Sequence, residues 1–136
     1  MIVVMTIVGV VAAISVPKIS TINTQNKVHR AANALQTEVQ QAFAIAGRNR
    51  QPIKVLWSSA SLQVQVTNRA GTIIYRRIGL GAGSGFSLAA SDVTIYPTTL
   101  TVFPNGLASD TLNMKISKGG FSKTVRVSKS GMTRLQ

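Results

Sequence analysis

The stretch MIVVMTIVGVVAAISVPKIS (residues 1–20) decides how the rest of the chain is read. Its first sixteen residues carry no charge, and only Thr6, Gly9 and Ser15 interrupt the apolar run before Pro17 and Lys18. A helix in lipid holds such a run, because a helical hydroxyl bonds back to a carbonyl one turn earlier. Crossing about 30 Å of hydrocarbon takes roughly 20 residues, so the span is either partial or continued upstream. A secretory signal is the alternative, but no Lys or Arg precedes Ile2, and VAAIS runs into Pro17 and further helical pattern instead of a cleavage site.

Beyond Pro17 the pattern becomes amphipathic. Val28, Ala31, Ala32, Leu35, Val39, Ala42, Phe43 and Ala46 recur at steps of three and four, one stripe of a 3.6-period helix, with Lys27, Arg30, Asn33, Gln36, Gln40 and Gln41 mostly on other faces. Gly47 reads as the helix stop, with Arg48 and Arg50 near its negative end and Pro52 beyond. Pro17 lacks a donor and is expected to kink or break the rod. From Met1 to Ala46 that rod would reach about 70 Å, more than the remaining chain can cover, so lipid or other protein copies must cover its first half.

From Ile53 the period switches to two. IKVLW, LQVQVTN, TIIYRRI, VTIY, LTVF, LNMKIS and TVRVS read as about seven strands, with GLGAGSG (residues 79–85) as a flexible loop and PNG (104–106) and KGG (118–120) as turns. The last two runs form an expected hairpin with one apolar and one basic face. The fold class is therefore α+β: a long N-terminal helix, apolar in its first half and amphipathic in its second, on a small antiparallel sheet or sandwich. Two units are expected, residues 1–26 as a membrane or filament-core helix and 27–136 as a globular head.

Fifteen Lys and Arg against Glu38, Asp92 and Asp110 give a net charge of +12, which attracts polyanions such as nucleic acid or anionic lipid. Cysteine is absent, and the single His29 sits in a polar, basic helical stretch without neighbouring ligands. No Cys-His pair, carboxylate pair or metal cluster is legible, and GLGAGSG lacks the Lys-Ser/Thr of a phosphate loop. No enzyme activity, cofactor or metal is expected.

The N-terminal run with Gly9, Pro17 eight positions later and an amphipathic continuation resembles the assembly helix of type IV pilins and type II secretion pseudopilins. RAANALQTEVQQAFAIAGRNRQPIKV, LTVFPNGLAS and the ending KTVRVSKSGMTR resemble the GspH/FimT-type minor pilins. The resemblance implies a subunit of a type IV pilus or type II secretion pseudopilus. It waits in the bacterial inner membrane with its head in the periplasm, then packs helix-inward into a filament whose partners are other pilin or pseudopilin subunits. Gly9, Ala12, Ala13 and Pro17 become the expected positions of close helix contact and bending. In the family the run follows a Phe-Thr-Leu-Ile-Glu-like stretch, whereas the first acid here is Glu38; either about five further residues with that glutamate lie upstream, the favoured expectation because they would complete the span, or assembly uses different contacts. Lys18, Lys27 and Arg30 flank the span on its C-terminal side, which alone would keep the head cytoplasmic. The resemblance implies a basic leader that reverses this.

The C-terminal region suggests a second role. Lys115, Lys118, Lys123, Arg126, Lys129 and Arg134 are a candidate DNA-binding set, with Lys115 and Arg126 expected on the outward face of one hairpin. Some FimT-type pilins bind DNA for uptake through a Gly-Arg-x-Arg element. The matching residues here are Gly131, Met132, Thr133 and Arg134, which retain the glycine and the second arginine.

Overall fold

A computed structural model describes residues 2–136, apart from the side chains of Ile2, Ser15, Val16 and Pro17. One helix, α1, runs from Ile2 to Asn49, about 72 Å at 1.5 Å per residue. Eight strands follow: β1 (Ile53–Ser58), β2 (Gln63–Asn68), β3 (Ile74–Gly79), β4 (Val93–Tyr96), β5 (Thr99–Val102), β6 (Leu112–Lys118), β7 (Phe121–Val127) and β8 (Thr133–Leu135). They form two antiparallel four-stranded sheets, in the orders β3-β2-β1-β5 and β4-β6-β7-β8. The expected strands are all present. The addition is β8, whose three residues are too few to show a period and which is held by pairing with β7.

The amphipathic stripe of α1 closes the core. Val28, Ala31, Ala32, Leu35, Val39, Ala42 and Ala46 are at most 1% exposed, and Phe43 packs partly buried beside them. Small side chains at Ala31, Ala32, Ala42 and Ala46 let the helix lie close to the strands, chiefly β6, β7 and β1. The alternating residues of the strands meet it: Ile53 and Val55, Val64 and Val66, Leu100 and Val102, Leu112, Met114 and Ile116, Val125 and Val127 are all buried. Among the described residues every buried one lies at or beyond Val28, so the head completes its core without the described first half of the helix.

The helix runs on through residue 17, so of the kink or break expected there the break is absent, the Pro17 side chain lying outside the described residues. One expectation about α1 is corrected: the helix continues past Gly47 to Asn49, and Arg50, at φ 51°, is the left-handed residue that ends it. Gly47 has open space around the position of a Cβ, so neither packing nor a positive φ calls for a glycine there.

Candidate functional site

Two surfaces stand out, and the first is the rod. Large apolar side chains from Val3 to Ile22 are 55–79% exposed: Val3, Val4, Met5, Ile7, Val8, Val10, Val11, Ile14, Ile19 and Ile22. The helix is long and apolar enough to cross a membrane, and none of its most apolar window is buried against the head. The polar interruption Thr6 is satisfied within the helix, its Oγ1 donating to the Val3 carbonyl at 2.8 Å. Gly9, Ala12 and Ala13 are exposed on this rod, and a Cβ at Gly9 would meet nothing within 4 Å. The small residues thus have no packing role within the lone chain.

The second surface is the outer face of the β4-β6-β7-β8 sheet. Register places Tyr96, Asn113, Arg126 and Arg134 in one row across all four strands, each exposed. Lys115 lies one pleat along, opposite Thr94 on one side and Thr124 on the other, diagonal to Arg126. A concavity of about 260 Å³ opens beside the row, lined by Thr111, Arg126, Ser128, Met132, Arg134 and Gln136. Its far wall is the β7–β8 turn. There Met132 N–H donates to Ser128 Oγ at 3.2 Å and Ser128 N–H to the Met132 carbonyl at 2.9 Å.

The six basic residues singled out from sequence do not share one surface. Lys115, Arg126 and Arg134 project outward. Lys123 pairs with buried Ile116 and so lies on the helix-facing side, and Lys118, at the hairpin end, bonds the Ser87 carbonyl and sits 3.7 Å from Asp92. Lys129 is exposed in the turn, its carbonyl accepting the Ala108 N–H at 2.7 Å. Period-two alternation explains the split, because odd and even positions of a strand face opposite ways.

Sequence reasoning passed over one ion pair. Glu38 is on the helix, three residues beyond Leu35, at the edge of the buried stripe, and Arg76 on β3 reaches it with Nε at 2.9 Å and Nη2 at 2.8 Å. The Glu38 side chain is 9% exposed and that of Arg76 43%. The hydrogen bond to Glu38, and then its charge, raise the Arg76 guanidinium above the ordinary arginine value, keeping it protonated. The signal available in sequence was the one acid in a helix whose other charged residues are all basic, but its partner, 38 residues away, carried none. Thr133 on β8 is fastened similarly, its Oγ1 accepting from Gln36 Nε2 at 2.9 Å and Gln40 Nε2 at 3.0 Å. Among the described residues no group of three or more His, Cys, Asp or Glu gathers as a metal site.

No family model and no curated protein sequence matches the chain. Solved structures do. The type IV minor pilin FimU of Pseudomonas aeruginosa is 19% identical, over 82% of this chain and 90% of that one, with a TM-score of 0.64. A second crystal form of FimU is 18% identical over 79% and 91%, with a TM-score of 0.62. The minor pseudopilin EpsH of the Vibrio cholerae Type 2 Secretion System is 12% identical over 81% and 96%, with a TM-score of 0.57. The long helix laid on antiparallel sheets is therefore the fold this chain shares with type IV pilins and pseudopilins.

Proposed function

We propose that this chain is a structural, non-catalytic subunit of a type IV pilus or type II secretion pseudopilus, inserted in the inner membrane through residues 1–26 and assembled helix-inward with other pilin or pseudopilin subunits. The observation that carries the reading is the exposed apolar rod on a head that needs none of it. Full burial of a Val, Ile or Met is worth about 1.5–3 kcal/mol, so leaving ten such side chains more than half in water would cost on the order of 10–20 kcal/mol, as much as a whole domain's stability. Lipid and then neighbouring helices remove that cost, and in either setting the helix pairs its interior backbone donors within itself. A division at residue 27 accords with the core starting at Val28.

Cell fractionation with shearing of surface filaments tests the reading. The chain is expected in the membrane and in sheared filaments or a pseudopilus fraction, and Val10→Lys is expected to deplete it from both, since a lysine at a span's centre costs about 2.5–3.5 kcal/mol. A wild-type chain found wholly in the soluble fraction would end the proposal. Nucleic-acid binding by a minor pilin is the second reading, supported by Lys115, Arg126 and Arg134 on one outer face. DNA retention by the chain across a salt series tests it, and absence of binding at low salt removes it.

A further inference from the structure

Arg126 and Arg134 are direct cross-strand partners on an exposed sheet face. Side chains so paired start with Cβ atoms about 4.5–5.5 Å apart, and like charges placed this way repel. Lys115, on the diagonal, adds to the field. Among the described residues neither arginine forms an ion pair with an acid of this chain.

The chain has little countercharge to offer. Glu38 is held by Arg76. Asp92 accepts from the Ala89 N–H at 2.9 Å and faces Lys118 at 3.7 Å. Asp110 accepts from the Thr111 N–H at 2.7 Å and is the one acid left exposed without a basic partner among the described residues. A second copy at +12 would therefore bring one open carboxylate and a large repulsion.

The rest of the face has the composition of a protein interface. Met132, 63% exposed, lines the concavity with the two arginines, Tyr96, 69% exposed, ends the same row beyond Asn113, and Tyr, Met and Arg are the residue types enriched where proteins meet. The concavity beside the arginines is bordered by Ser128 and Met132 of the β7–β8 turn, and Lys118 and Lys123 are not on this face, so the basic residues of the hairpin do not line up as one extended track across it. That shape suits one or two carboxylates better than a polyphosphate backbone.

We propose that the Tyr96–Asn113–Arg126–Arg134 row is a docking surface for an acidic segment of a partner subunit different from this chain. Carboxylates of that segment seat between Arg126 and Arg134, and apolar contact falls on Tyr96 and Met132. The inference rests on the filament reading and names the partner's chemistry: the chain enters mixed assemblies next to acidic heads and does not stack on itself.

The test uses the full chain in detergent micelles, a fluorescently labelled hexaglutamate peptide as probe and a short double-stranded DNA as competitor at the same ionic strength. Peptide affinity is expected to fall about tenfold in the Arg126→Gln, Arg134→Gln double variant, as for loss of charge-assisted bonds in a partly enclosed site. It is expected to fall less than about twofold in Arg69→Gln, Arg77→Gln, which removes the same charge from exposed positions outside this sheet. Without peptide, Arg134→Gln is expected to raise the melting temperature by relieving repulsion. The proposal is overturned by absence of peptide binding, by equal loss in both double variants, or by a lowered melting temperature in Arg134→Gln. DNA displacing the peptide through the same two arginines would also overturn it, assigning the face to nucleic acid. Peptide binding is read on the purified chain, so it stands or falls separately from recovery of the chain in filaments.

Discussion

Replacing Gly131 by alanine probes the point where the C-terminal strand meets the helix. Gly131 lies in the β7–β8 turn at φ +81°, and an added Cβ would stand 3.1 Å from Phe43 Cε1, 3.2 Å from Cδ1 and 3.4 Å from Cζ. Two costs follow. A left-handed backbone costs a residue with a Cβ about 1–2 kcal/mol, of which about 0.4–1 is offset by the narrower unfolded ensemble of alanine. The ring of Phe43, packed against the core, must also shift by a few tenths of an ångström, an overpacking cost of about 1 kcal/mol or somewhat more. The expected net loss is about 1.5–2.5 kcal/mol. Gly71 supplies the control, because it has φ +77° and open space around its Cβ position, so Gly71→Ala should show the backbone part alone, about 0.5–1 kcal/mol. Urea titration of residues 27–136, which contain every buried residue among those described, followed through the single Trp57, measures both. In a Phe43→Leu background the Gly131→Ala cost should drop to that of Gly71→Ala, a coupling of about 1 kcal/mol. Equal costs at the two glycines in the wild-type background, or no relief from Phe43→Leu, would refute the argument from contact.

The same titration addresses three further expectations. Arg76→Gln should destabilise the head more than Glu38→Gln, because losing the arginine leaves a buried carboxylate without its partner whereas losing the acid leaves a half-exposed arginine for water; the reverse order would show that the pair does not hold β3 to the helix. Gly47→Ala should stabilise by up to about 1 kcal/mol and Arg50→Gly by about 0.5–1 kcal/mol, since the first sits in open helical space and the second at φ 51°; a loss at either position would contradict the helix end seen here. Leu35→Ala, fully buried at the centre of the stripe, should cost about 2–5 kcal/mol, and a loss under about 1 kcal/mol would mean that the helix is not a core element.

The likeness to FimU and EpsH lies in the helix and sheets, and what differs from chain to chain is the chemistry displayed on them. Here the display is basic, at a net charge of +12, and register decides how it is used. Strand alternation alone put Lys115 and Arg126 on one face, and that face exists. The pairing of Arg126 with Arg134 needed β8, a three-residue strand with no periodicity of its own.

What the sequence determined by itself was set by local period and composition. An uncharged apolar run marks a segment that needs cover, and the steps from Val28 to Ala46 fix one buried stripe, as observed. Alternation fixed the strands and the β6–β7 hairpin because side-chain period and pleat are the same fact. Tertiary structure decided the rest, through groups distant in sequence that must satisfy one another. It ended the helix at Arg50 and not at Gly47, because an intrinsically poor helix former is retained within a helix fastened to two sheets along its next-to-last turns. It buried Glu38 against Arg76, fastened Thr133 to Gln36 and Gln40, and set two arginines side by side. Local pattern carries no record of such pairings, since each partner looks like ordinary surface until the sheets close on the helix.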